Sequence, residues 1–206
     1  MGERIIYFLF TDTGSYLSKA INYYTKKSLN HVSIGFDPQL NELYSFGRKQ
    51  PRNPFIGGFI REDIQSEFLK RSTCELYSFT VTEEEYEGIV HNIKEIEAKK
   101  QLYKYNFIGL FGVMMEIEIN RKYALFCSEF VATVLRDMKR FQFGKPISFI
   151  TPADIRSYPG MQLIYKGILG DYQKQKPLEE RIQDQAIPKQ SFIFLLSSRF
   201  KRLGLK

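Results

Sequence analysis

Hydrophobic and polar positions alternate along this chain with two different periods, and the switches between them mark its elements. Residues 4–10 (RIIYFLF), an Arg followed by six apolar residues, read as a buried strand. A DTGS turn follows, and Ser15 caps an expected helix carrying Leu17, Ala20, Ile21 and Tyr24 at helical spacing. Residues 31–36 alternate as a strand. Val32, Ile34 and Phe36 share one face, and His31 and Ser33 share the other. DPQLN reads as a turn, with residues 42–47 returning as the second strand of a hairpin. The next stretch, RKQPRNPFIGGF (48–59), is rich in Pro, Gly and Asn and predicts a loop, followed by a short helix over 61–70.

Residues 73–81 predict another strand. Thr82 with Glu85 three positions on forms a capping box. The helix it opens carries Tyr86, Ile89, Val90, Ile93 and Ile96 on one side. Residues 104–115 predict a buried helix too short to span a bilayer, and residues 126–138 a further helix. Thr151-Pro152-Ala153-Asp154 is a helix start, and 161–169 a final strand. Residues 171–190 read as a polar linker and 191–203 as a short amphipathic basic helix. The mixture is of the α+β class: one domain over 1–170, then a linker and tail over 171–206.

Composition changes this picture little, except at the end of the chain. The 206 residues suffice for one substantial core, and 43% hydrophobic with 26% charged is ordinary for a folded domain. The first apolar run is six residues long and lacks a small-residue cleavage site, so it reads as a strand rather than a signal peptide. With two cysteines, Cys74 and Cys127, and no export signal, free thiols and a cytoplasmic setting are expected. No Cys/His cluster has metal-ligand spacing, and neither a metal nor a cofactor is expected. The net charge is +7, and Lys189, Arg199, Lys201, Arg202 and Lys206 supply five of those charges without an acid among them. Next to the apolar run at 192–196, they predict attraction to an anionic membrane surface and a peripheral location there. Equally, the run could pack back onto the domain. No nucleic-acid motif accompanies the charge, and nucleic acid is not an expected partner.

Cys127 and His31 carry the candidate chemistry. Cys127 lies at a helix start, where the dipole and free N–H groups favour a thiolate and can bind an oxyanion. It is also in register with Val131, Val134 and Leu135, so a plain core role is the competing reading. Glu129, in the same turn, would oppose a thiolate if it pointed inward. His31 opens its strand on the face away from Val32 and Ile34, where an imidazole can reach a neighbouring thiol. Hairpin geometry places Ser45 on that same face as a third member to orient His31, with Glu42 as the alternative. His91 and Cys74 read as structural.

The order of these pieces resembles the circularly permuted papain-like proteins of the NlpC-type superfamily, closest to the YiiX-like branch and more distantly to lecithin retinol acyltransferase. Histidine comes first, in Asn30-His31-Val32-Ser33-Ile34. Cysteine comes much later, in Phe126-Cys127-Ser128-Glu129-Phe130-Val131. TGSYLSKAI before the histidine strand, YKYNFIGLFG before the cysteine helix and TPADI after it are similar too, so the resemblance spans roughly residues 4–170. It implies a permuted papain-like fold, a small antiparallel sheet packed against the helix bearing the nucleophile. It also implies a thiol hydrolase or acyltransferase acting on a peptide or lipid amide, thioester or ester through an acyl-cysteine. The branch often carries a carboxylate on the strand after the histidine. Ser45 stands there in this chain, which leaves a catalytically inactive binding module of the same fold as the alternative.

Overall fold

The computed structural model describes residues 2–12, 28–50, 53–106 and 123–174, and the side chains of these except 48–56 and 105. The chain divides into one unit over Met1–Gln173 and a second over Lys174–Lys206. The first unit holds all the described elements, apart from Lys174 at the end of the last helix. The expected helix after Ser15, residues 107–115 of the expected buried helix, and the expected linker and basic helix beyond 174 lie outside the described residues; Lys104–Tyr105 is a strand rather than helix, and residues 171–174, expected as linker, belong to a helix.

The architecture is mixed α+β, built on a six-stranded antiparallel sheet. Its strands are β1 (Glu3–Asp12), β2 (His31–Gly35), β3 (Leu43–Gln50), β4 (Asn53–Arg61), β5 (Thr73–Thr82) and β8 (Gln162–Ile168), in the order β4-β3-β2-β1-β5-β8. Between them come helices α1 (Glu67–Lys70) and α2 (Glu83–Ala98). Strands β6 (Lys104–Tyr105) and β7 (Ala124–Leu125) then pair in parallel. Helices α3 (Cys127–Leu135) and α4 (Pro152–Arg156) precede β8, and α5 (Leu169–Lys174) follows it.

Period-two alternation decides which face each side chain joins. Ile6, Phe8 and Phe10 of β1, Val32 and Ile34 of β2, Phe46, Phe59, Phe79 and Val81 point to one face. There they pack with Ile89 and Ile93 of α2 and Phe130, Val131 and Val134 of α3. Tyr7, Leu9, Leu43, Cys74 and Leu76 point to the other face, covered by Ile64, Leu69 and Leu169. Helix α2 starts where its capping box requires, with Thr82 accepting from the Glu85 amide and Glu85 from the Thr82 amide. Helix α4 has the same box between Thr151 and Asp154, with Pro at its start.

Two expectations fail together. The segment 48–59 is not a loop: β3 runs to Gln50, and β4 resumes at Asn53. The expected helix over 61–70 is confined to Glu67–Lys70. Pro, Gly and Asn are tolerated in β4 because it is an edge strand, where a missing N–H breaks no ladder on its outer side. Gly47 and Gly58 are cross-strand partners. A Cβ on Gly47 would stand 2.9 Å from Ile60 Cδ1, so this glycine permits a close approach.

Candidate active site

His31 is the first residue of β2. Its register partner on β1 is Thr11, and β2 pairs with β3 through Ile34–Tyr44 and Gly35–Leu43. Continued along the strands, that register sets Ser33 opposite Ser45 and His31 opposite Gly47. The Gly47 Cα position accordingly borders the ring: a Cβ built there would lie 3.5 Å from both His31 Cε1 and Ser45 Oγ. On the far side, Ser45 pairs with Ile60 of β4, and the Glu62 amide donates to the Leu43 carbonyl at 2.8 Å. Glu62 thus shares the face of Ser45 and Ile60, and its side chain turns back toward β2.

The result is a buried polar cluster centred on one carboxylate oxygen. Glu62 Oε1 lies 2.8 Å from His31 Nε2 and accepts a 2.6 Å hydrogen bond from the Ser45 hydroxyl. The Ser33 hydroxyl lies 3.5 Å from the same oxygen and 3.4 Å from Nε2. Exposure is 22% for the His31 side chain and 10% for that of Glu62. Burial alone would raise Glu62, but His31 above all, with Ser45 and Ser33, holds it below the usual carboxylate range. Burial likewise opposes the charge on His31. Hydrogen bonds with Cys127 and Glu62, and the negative charge these two offer, outweigh it and raise the imidazole from 6.5 to about 10. His31 and Glu62 therefore form an ion pair across the neutral range.

Cys127 reaches this cluster from the helix layer. Helix α3 packs on β2 and β3 through Phe130 and Val131, against Phe46 and Phe59. Its first residue, Cys127, therefore comes to the end of β2 where His31 begins. The thiol lies 3.7 Å from the Asn30 carbonyl, beside the His31 ring. Cys127 is 5% exposed and also belongs to the apolar cluster of α3, so its two readings coexist: apolar packing holds the side chain, and its sulfur meets the imidazole. Helix geometry leaves the N–H groups of Cys127 and Ser128 without intrahelical acceptors. The Ser128 hydroxyl ties this turn to the Ile150 carbonyl at 2.6 Å.

Backbone conformation is unusual on both approaches. Leu29, two residues before His31, has φ of 62°, and Tyr123, before β7, has φ of 60°. Each left-handed non-glycine residue costs about 1–2 kcal/mol. Leu29 is kept there by burial of its side chain in the core.

The structure brings Cys127 and His31 together. It also brings Ser45 into the cluster, but as a donor to Glu62 rather than as the direct partner of His31. Glu42 is exposed at the β2–β3 turn, where its amide donates to Asp37. Glu62, the carboxylate on His31, escapes sequence reasoning. The available signal is the alternation Ser45, Ile60, Glu62 across a hairpin, hidden once 48–59 is read as loop. Cys74 is buried beside Glu75, and burial with that charge pushes its thiol up to about 12, which makes it inert. Among the described residues no group of three or more His, Cys, Asp or Glu could hold a metal ion. Among them, too, no helix is long and apolar enough to cross a membrane. No family model matches the chain, and no curated protein or solved structure matches it either.

Proposed function

We propose that the protein is a cysteine-dependent hydrolase or acyltransferase of the permuted papain-like type, working through an acyl-Cys127 intermediate. The observation that carries this reading is the chain of contacts Cys127–His31–Glu62, in which a thiol, an imidazole and an acid adjoin in catalytic order. In this reading the proton shared by thiol and imidazole already rests on His31, and the Cys127 sulfur attacks a carbonyl carbon. The oxyanion that forms is met by the free N–H groups at the start of α3. The C–N, C–O or C–S bond of the substrate breaks, and the leaving group takes its proton from His31. Water or another acceptor then loses a proton to His31 and attacks the thioester, which frees Cys127. Glu62 holds the ring and stabilises the imidazolium throughout. The substrate class is a peptide or lipid amide, ester or thioester.

The alternative of an inactive binding module drew its support from the lack of a carboxylate beside His31. Glu62 supplies that group and removes this ground. The test is acyl-enzyme trapping. The folded protein is exposed to a p-nitrophenyl ester, and its peptides are read by mass spectrometry. An acyl group on Cys127, absent in His31→Ala and Cys127→Ala, is the expected result. If Cys127 acylates no faster than glutathione under the same conditions, the enzyme reading is wrong.

A further inference from the structure

The first turn of α3 contains an acid that the proposed chemistry leaves unused. Glu129 is 5% exposed. Burying an acid two residues after a nucleophilic cysteine is costly and, if its charge faced the thiolate, counterproductive. Its side chain is engaged by the backbone instead. Glu129 Oε2 accepts from the Phe126 amide at 3.3 Å, and the Asn106 side chain lies beside the carboxyl group and lowers it electrostatically. Phe126 and Asn106 are the residues next to the paired strands β7 and β6. The Asn106 amide itself donates to the Leu125 carbonyl at 2.9 Å. One carboxyl group therefore ties the residue before Cys127 to the turn that carries Cys127, beside the strand pair that delivers the chain to that turn.

We propose that Glu129 is a positioning residue, which fixes the Phe126–Ser128 turn so that the Cys127 sulfur meets His31. The inference rests on the reading of Cys127 as nucleophile. Two observations favour positioning over simple capping. Phe126, at the cap position, has no side-chain oxygen to satisfy the turn, so Glu129 holds the Phe126 amide while Ser128 holds the Ile150 carbonyl. The group is also suited to sit near an anion: burial raises its carboxyl to about 7 although the Phe126 amide and Asn106 pull it back, so its charge is partly discharged. What the turn needs is then an acceptor of fixed position more than a negative charge.

The experiment compares wild type with Glu129→Ala, Glu129→Gln and Asn106→Ala. Two quantities are read on the folded protein. One is the iodoacetamide alkylation rate of Cys127, by peptide mass spectrometry. The other is the titration of the His31 ring Cε1–H resonance. Glu129→Ala should slow alkylation roughly ten- to a hundredfold, the scale of a small misplacement of a reacting group. It should also lower the His31 titration, because the sulfur leaves the ring. Glu129→Gln keeps the acceptor and should retain both values to within about threefold in rate and half a unit in titration. Asn106→Ala removes the polar side chain beside the same carboxyl group, and it decides the question if Glu129→Ala fails to fold. A cap with no positioning role would lower Tm and leave both readouts of the folded protein unmoved, which would overturn the proposal. So would a Gln variant as impaired as the Ala variant. Slow alkylation in the wild type itself would instead count against the nucleophile reading.

Discussion

The ion pair at the centre of the site can be taken apart by one substitution, Glu62→Gln. Gln keeps the length of the side chain and an oxygen for His31 Nε2, but not the charge. A hydrogen bond to a charged partner is worth about 1.5–3 kcal/mol net. One pKa unit corresponds to about 1.4 kcal/mol, so replacing the charged acceptor of the 2.8 Å contact by a neutral one should lower the His31 titration by up to about one to two units from its raised value. Cys127→Ala should lower it further, because the hydrogen bond with Cys127 is the largest influence raising the imidazole. The double variant gives the sharpest expectation. With both charged partners gone, burial opposes the imidazolium and only neutral oxygens remain beside Nε2, so His31 should then titrate below either single variant. The assay is two-dimensional NMR of the imidazole Cε1–H groups. The chain has two histidines, and His91→Gln assigns the resonance without touching the site. A wild-type His31 that titrates near 6.5, or one indifferent to both substitutions, would refute the geometry of the cluster.

Ser45→Ala removes a 2.6 Å donor to the Glu62 carboxylate, worth about 1.5–3 kcal/mol, and should lower Tm by at least about 3 °C by calorimetry. An unchanged Tm would place Ser45 outside the cluster. The stability cost of Glu62→Gln should depend on pH. Glu62 is held below 4.5, so its contribution is present above that value and is lost as pH falls through the folded-state value. His31 is raised, so its contribution is complete below 6.5 and is lost as pH rises toward about 10. Urea unfolding should therefore show the largest cost between about pH 4.5 and 6.5 and a smaller one at either extreme; a flat cost would contradict the pairing. Phe130, wholly buried against Phe46 and Phe59, should cost about 3–5 kcal/mol as Phe130→Ala, read from the urea midpoint.

Sequence reasoning finds the elements whose signal is local. The capping boxes at Thr82 and Thr151 need only four residues each, and both appear as expected. The period-two faces of β1 and β2 are equally plain, because each strand buries one full row of apolar side chains. Strand β4 is not legible. Its composition is that of a loop, and what makes it a strand is a neighbour: eight residues of β3 offer a ladder to a chain that would not otherwise extend. Tertiary pairing overrides propensity here, as it does most easily at a sheet edge.

The hidden strand also explains how far the site can be read. Cys127 and His31 are visible because each marks the start of an element, and element starts leave local signatures. Glu62 leaves none. It lies just past the end of β4, and its role depends on three strands pairing in one register, so that Ser45, Ile60 and Glu62 share the face of His31. With β4 absent, the face has only Ser45 to offer, and a hydroxyl is assigned the place of an acid. With β4 present, the hydroxyl and the acid are both required. A carboxylate that received only His31 would be buried with most of its acceptor capacity unmet, and Ser45 and Ser33 fill part of it. Ser45 is therefore not a weakened substitute for an orienting acid. It is the donor that allows an acid from the next strand to stay charged there, which is why Ser45→Ala and Glu62→Gln should perturb the same imidazole by different routes.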